Sequence, residues 1–284
     1  MRVVLRVMVA SGLLVSGFAN AANPANIEAE IAAFQGFFQK RFPDMPLAAY
    51  QDGASALPQY AQRRADRDTL MDMPRYAATL EKARVEWSTP FNNGKTFNDC
   101  FTDKPAATHY PYYNLESNDI RTVVGDINAC LEANGGEPIE NLENAKIARL
   151  VAAFNERFNG QALAVEVSTD GAQEWYERGK KFYWTKRGQL NFSCADCHVT
   201  SAGKSMRGDY LSAGLGHTSG FPTYHPKRVA AGDPWSTTHG RYKDCNERAR
   251  AKPFSAQSNE YKALEFYEAV MSLGVPLKAP GLRQ

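Results

Sequence analysis

Five consecutive residues, Cys194-Ala195-Asp196-Cys197-His198, form a C-x-x-C-H segment, the attachment pattern of a c-type haem. On a helical turn, positions i, i+3 and i+4 share one face. Two thiols can therefore add to the haem vinyl groups while the imidazole reaches the iron as its proximal ligand. A redox dithiol or half a zinc site would use the same spacing, but no second C-x-x-C and no H-x3-H completes a zinc set. One covalently bound haem c is expected, held by Cys194 and Cys197, with His198 on the iron.

Three cysteines remain: Cys100, Cys130 and Cys245. An odd thiol in an oxidising compartment calls for one disulfide and one functional thiol. The elements that position them read as helices joined by long loops. Apolar residues recur at helical spacing over 23–42, 73–87, 147–154, 171–186 and 258–273, with a shorter helix at 244–251. Cys100 and Cys130 fall in a loop between the second and third of these. From Val199 to Gly240 there is almost no periodicity and there are seven glycines, a length of loop that is usually functional and that here would wrap the haem.

The two halves look like a diverged repeat. Phe97-Asn98-Asp99-Cys100 parallels Phe192-Ser193-Cys194, and Tyr110-Pro111-Tyr112-Tyr113 parallels Phe221-Pro222-Thr223-Tyr224. Gly125 precedes Cys130 by five residues, as Gly240 precedes Cys245. On this reading Cys100 is placed like Cys194 and Cys130 like Cys245. The first half lacks the second cysteine and the histidine, so it reads as a domain that lost its haem, with a Cys100–Cys130 disulfide across the former pocket. The fold class expected is mainly α, with two cytochrome c-like domains and the boundary at Asn159-Gly160.

Cys245 is then the unpaired thiol. It is expected near the start of the 244–251 helix, where the dipole lowers a thiol pKa. Arg241, four residues earlier, could hold an oxyanion by paired hydrogen bonds if the chain is helical there. The sixth iron ligand is open among Met206, Met271, His217, His225, His239 and Cys245. Methionine would suit a simple electron carrier; a thiolate would place the iron against a reacting sulfur.

The chain has 284 residues, 33 Lys+Arg and 31 Asp+Glu. With 43% hydrophobic residues it is neither a disordered tail nor a multi-span membrane protein. Residues 1–21 carry a basic start, an apolar run over Val7–Phe18 and an A-x-A end, the parts of an export signal. Arg2 and Arg6 are its only charges, so removing it leaves 33 − 2 = 31 basic against 31 acidic residues. A net charge of zero gives no broad footprint for nucleic acid. Attraction for an anion must be local, around Arg241, Lys243 and Arg248. A periplasmic location is expected, with no membrane span once the signal is removed.

The run from Gly188 through His198, followed by Gly240-Arg241-Tyr242-Lys243-Asp244-Cys245-Asn246-Glu247-Arg248-Ala249-Arg250, resembles the A subunits of the SoxAX cytochromes, L-cysteine S-thiosulfotransferases of bacterial sulfur oxidation. The broken motif at Cys100 is similar to the one-haem form. The resemblance implies that Cys245, as a cysteine persulfide, is the distal iron ligand and active-site residue, and that Arg241 binds the substrate thiosulfate. It further implies oxidative conjugation of thiosulfate to a cysteine of a SoxYZ-like carrier, with electrons leaving through a SoxX-like monohaem cytochrome. The signal pattern, the Asn159-Gly160 turn and the repeat divide the chain into a signal (1–21), a haem-less domain (22–160) and a haem-binding domain (161–284). A plain periplasmic electron-transfer cytochrome is the alternative.

Overall fold

The computed structural model describes residues 24–282, apart from 73, 144, 207 and 233. The expected export signal, 1–21, lies outside the described residues. Nine α-helices are present among those described: α1 (Pro24–Arg41), α2 (Ala61–Asp72), α3 (Ala77–Ser88), α4 (Phe97–Cys100), α5 (Val123–Ala133), α6 (Ala145–Asn155), α7 (Asp170–Trp184), α8 (Thr238–Arg248) and α9 (Asn259–Met271). Strands are short: β1 (Tyr112–Asn114) pairs antiparallel with β2 (Asp119–Arg121), and β3 (Ser205–Met206) with β4 (Asp209–Tyr210). β5 (Thr223–Tyr224) pairs antiparallel with β6 (Trp235–Ser236) and parallel with β7 (Gly281–Leu282), tying the C-terminal tail to the central loop. The architecture is mainly α, as expected. No described helix is long and apolar enough to cross a membrane.

Local chemistry sets where four of these helices begin. Thr122, Thr169, Thr237 and Ser258 each accept a hydrogen bond from a first-turn backbone N–H of α5, α7, α8 and α9, satisfying a donor that has no partner within the helix. α7 then crosses α9 at Gly179. A Cβ there would collide with the Ala263 carbonyl and come within 2.6 Å of the Tyr267 Cβ, so only glycine permits this approach. Tyr267 packs between Tyr176 and Tyr183, at ring separations of 5.2 and 5.3 Å.

Two hydrophobic cores result, and they do not divide at residue 160. The core around α7 and α9 also takes Ile27, Phe34 and Phe38 of α1 and continues to Leu57. Gln35 of α1 donates to the Leu273 carbonyl, and Tyr176 donates to Glu30 at 2.6 Å. The other core is built by α3 and α6 around fully buried Trp87, whose indole N–H donates to the Leu150 carbonyl at 2.9 Å.

Three helices were not expected from the sequence, among them the short α4 that ends on Cys100. α2 carries Arg63, Arg64, Asp66, Arg67 and Asp68 and has no apolar stripe; its one buried residue is Arg67. α5 replaces the loop expected around Cys130: Thr122 caps it, and Val123, Ile127 and Cys130 form its buried face. Cys100 and Cys130 are joined by the expected disulfide, with their Cα atoms 5.9 Å apart.

The repeat is visible, with one correction to its register. Cys130 and Cys245 are each the eighth residue of their helix, α5 and α8, and both helices use a threonine cap bonded to the glycine N–H. Thr96 and Asp99 cap α4 as Ser193 and Asp196 cap the haem motif, through matching backbone and hydroxyl bonds to the aspartate. Cys100 therefore matches Cys197, not Cys194. Phe97 stands where Cys194 does, and Phe101 where His198 does. Both phenylalanines are buried against Trp87, at 5.1 and 4.9 Å between ring centroids.

Closing 30 residues into a loop is worth roughly 3 kcal/mol through the unfolded chain. Cys130→Ser should lose about that much in a urea titration while the haem absorption spectrum stays as in the parent. Burial holds the Tyr50 and Tyr261 hydroxyls up, each to about 12. Their neutral forms stabilise the fold fully below the unfolded tyrosine value near 10, and this contribution is lost as pH rises from there towards 12. The urea midpoint should be flat on this account between pH 8 and 9.5 and fall above pH 10; a midpoint that rises there contradicts it.

Candidate haem and thiol site

The C-x-x-C-H segment follows the end of α7 and the turn Arg187–Asn191. Leu190 and Gln189 donate backbone N–H groups to the Ala249 and Arg250 carbonyls, 3.3 and 3.2 Å away, closing this turn over the C-terminal end of α8. Ser193 and Asp196 start the motif as a helical turn that widens over Asp196–Thr200. Cys194, Cys197 and His198 line one cavity, walled by Phe182, Leu190, Phe192, Leu211 and Leu264. The His198 Nδ1 lies 3.0 Å from the Ser212 carbonyl. A carbonyl only accepts, so Nδ1 carries the proton and Nε2 keeps its lone pair for a metal. Burial, with His217 beside it, holds the His198 imidazole well below its ordinary pKa, so the ring is neutral as an iron ligand must be.

Burial also pushes the Cys194 thiol well above its ordinary pKa, and the Cys197 thiol up. Thiolates are disfavoured here, whereas thioethers carry no charge. An apolar cavity, two adjacent neutral sulfurs and an oriented imidazole fit a covalently attached haem. No cluster of three or more His, Cys, Asp or Glu side chains placed to hold a bare metal ion occurs among the described residues.

α8 brings the other half of the site. Arg241, Tyr242 and Cys245 line the same cavity. Cys245 thus shares one cavity with Cys197, as Cys130 shares a bond with Cys100. Arg241 sits one helical turn before Cys245, on the same side. Asp244 gives its short contact, 2.7 Å, to Arg228 and stands 3.9 Å from Arg241. Arg241, Arg248, Asp209 and Tyr210 also line a neighbouring cavity that collects seven Lys and Arg side chains against two aspartates.

No family model matches the chain. The L-cysteine S-thiosulfotransferase subunit SoxA of Chlorobaculum tepidum is 37% identical over 283 residues, covering 96% of both sequences. That of Allochromatium vinosum is 36% identical over 280 residues, 98% of this chain and 96% of the relative. The chain belongs to the SoxA family. The crystal structure of SoxXA from P. pantotrophus matches with a TM-score of 0.68 at 26% identity, over 78% of this chain and 84% of that one. The fold and the cytochrome c character of this SoxA chain agree with the expectation from its sequence.

Several sequence expectations change in detail. α8 begins at Thr238, six residues earlier than expected, so Cys245 lies in its last turns and the positive end of the helix dipole is not beside it. The shift has a gain: residue 241 is helical, so Arg241 and Cys245 do share a face. Lys243 points elsewhere and donates to Glu143 of the first half at 2.9 Å, whereas Arg248 stays at the cavity and pairs with Asp209. Of the six candidate sixth ligands, Met206, His217 and Cys245 line the cavity. His217 is stacked edge-on to His198, 4.2 Å between centroids, and bonds the hydroxyl of the same Ser212 that holds it. His225 lines the second cavity, His239 is buried against Glu265, and Met271 is in the core beneath Tyr176.

Sequence reasoning missed Ser212, Tyr242 and Glu268. Glu268 had a readable signal: it sits on the apolar face of α9 among Leu264, Tyr267 and Met271, all buried, where a carboxylate needs a reason. Ser212 acts through its backbone carbonyl, which residue type does not announce.

Proposed function

We propose that the chain is the haem-bearing subunit of an exported L-cysteine S-thiosulfotransferase, carrying one haem c on Cys194 and Cys197 with His198 as proximal ligand. The observation that carries this is the placement of Cys245 and Arg241 on one face of α8, in the wall of the cavity that holds the C-x-x-C-H residues. Within the expected first domain, 22–160, the part built on α3–α6 is the haem-less one, its cysteines closed as a disulfide. A SoxX-like monohaem cytochrome is the electron partner and the location is the periplasm.

Conjugation joins the sulfane sulfur of thiosulfate to a carrier cysteine thiol, as on SoxYZ: one S–S bond forms, the thiol proton leaves and two electrons are removed. The haem, when bound, supplies a one-electron acceptor, so the two electrons leave singly, each passing on to the partner cytochrome. This chain's residues do the rest. Seven cationic side chains in the cavity beside the site offset the neutral charge of the mature chain locally and draw the dianion in. Arg241 offers a planar pair of donors that matches two sulfonate oxygens. Cys245, as a persulfide, would be the group on α8 that holds the iron and meets the incoming sulfur. The apolar wall keeps water from the new bond.

A plain electron-transfer cytochrome remains a second reading because Met206 also lines the cavity. Cys245→Ala should abolish thiosulfate-dependent turnover with carrier and partner and change the haem spectrum; unchanged rate and spectrum sink the transferase reading. Met206→Ala should leave both near the parent, and loss of the low-spin spectrum there would favour the plain carrier. Arg241→Gln removes charge-assisted bonds worth about 1.5–3 kcal/mol. It should lower kcat/KM for thiosulfate on the order of 10- to 100-fold without altering the haem spectrum.

A further inference from the structure

Glu268 is a carboxylate with a side-chain exposure of 5% in the wall of the haem cavity. Its Oε2 accepts from the Tyr242 hydroxyl at 2.5 Å, and its Oε1 lies 3.4 Å from the His217 Nδ1. The other His217 nitrogen, Nε2, lies 2.9 Å from the Ser212 hydroxyl, and the Ser212 carbonyl holds the His198 Nδ1 at 3.0 Å. These contacts form one chain from α8, three residues before Cys245, through α9 to the proximal histidine.

We propose that Glu268 is a positioning residue that fixes the Cys245 helix relative to the His198 loop and lowers the haem potential by its buried negative charge. The inference rests on the haem reading above but not on the identity of the substrate. Tyr242 is deeply buried, with its pKa held well above the ordinary tyrosine value by that burial and by Glu268, so it is an O–H donor. In the tautomer with its proton on Nδ1, His217 donates to Glu268 while its Nε2 accepts from the Ser212 hydroxyl. Both carboxylate oxygens then face donors, the pattern of an ionised, acceptor-only group. In a low-dielectric wall such a charge is weakly screened. A fixed anion favours the ferric over the ferrous state, because the oxidised iron carries one more positive charge. Hydrogen bonding and charge around the axial ligand are established levers on haem potential.

The test is a spectroelectrochemical titration and a low-temperature electron paramagnetic resonance spectrum of the full, haem-loaded chain with its electron partner. Covalent haem is checked first by intact mass. Absence of haem in the parent protein sinks the haem reading and is separate from the fate of Glu268. Glu268→Gln keeps the shape and removes the charge; its haem potential should be more positive than the parent's, with altered g-values. A folded, haem-loaded Glu268→Gln with unchanged potential and g-values overturns the inference, as does a more negative potential. Should that variant fail to load haem, Tyr242→Phe decides. It keeps the charge and strips one donor from it, so the potential should fall; no shift, or a rise, overturns the inference.

Discussion

The close crossing of α7 and α9 at Gly179 is the constraint on which the other features rest. With no side chain at that position, the Ala263 carbonyl reaches the backbone of α7, and Tyr267 locks between Tyr176 and Tyr183. The end of α7 then delivers the C-x-x-C-H segment at one edge of the crossing, while α9 presents Leu264 and Glu268 to the cavity below it. α8 closes the third side, anchored to α9 through Tyr242 and Glu268. A bulkier residue at 179 would part the two walls rather than empty a single contact.

The two halves solve the same packing problem with different fillings. Around α3 and α6 the space is taken by Trp87, Phe97, Phe101 and Phe154, the three phenylalanine rings lying within 5.5 Å of the Trp87 ring. Phe97 and Phe101 stand at the positions of Cys194 and His198, so the residues that would attach and ligate a haem are replaced by the rings that fill its room. The Cys100–Cys130 bond then joins the counterparts of Cys197 and Cys245. In the second half the same pair, Cys197 and Cys245, is left as free thiols lining one cavity. A structural crosslink in one unit and a free thiol in the other, the reactive sulfur of the proposed function, thus occupy equivalent ground.

Much of this was legible in the sequence where chemistry and periodicity coincide. Cys194, Cys197 and His198 announce themselves by spacing, and α1, α6, α7 and α9 by apolar recurrence. α2 was hidden because its surface is charged on nearly every side, so no period exists to read. α8 was placed six residues late because His239, Gly240 and Arg241 give no apolar signal; its true start is marked only by the Thr237 cap. The register of the repeat was misread at Cys100 because a capping pair, Thr96 with Asp99, aligns the halves and the cysteines alone do not. Hardest to foresee were contacts made through the backbone, such as the Ser212 carbonyl, and the path by which α1, at the start of the chain, completes the core of the second half.

Iron K-edge X-ray absorption on the purified haem-loaded chain tests the central claim most directly, by counting sulfur scatterers at the iron. The account predicts one iron–sulfur scatterer opposite His198 in the parent, retained in Met206→Ala and lost in Cys245→Ala. An iron that keeps its sulfur without Cys245 and loses it without Met206 would contradict the account.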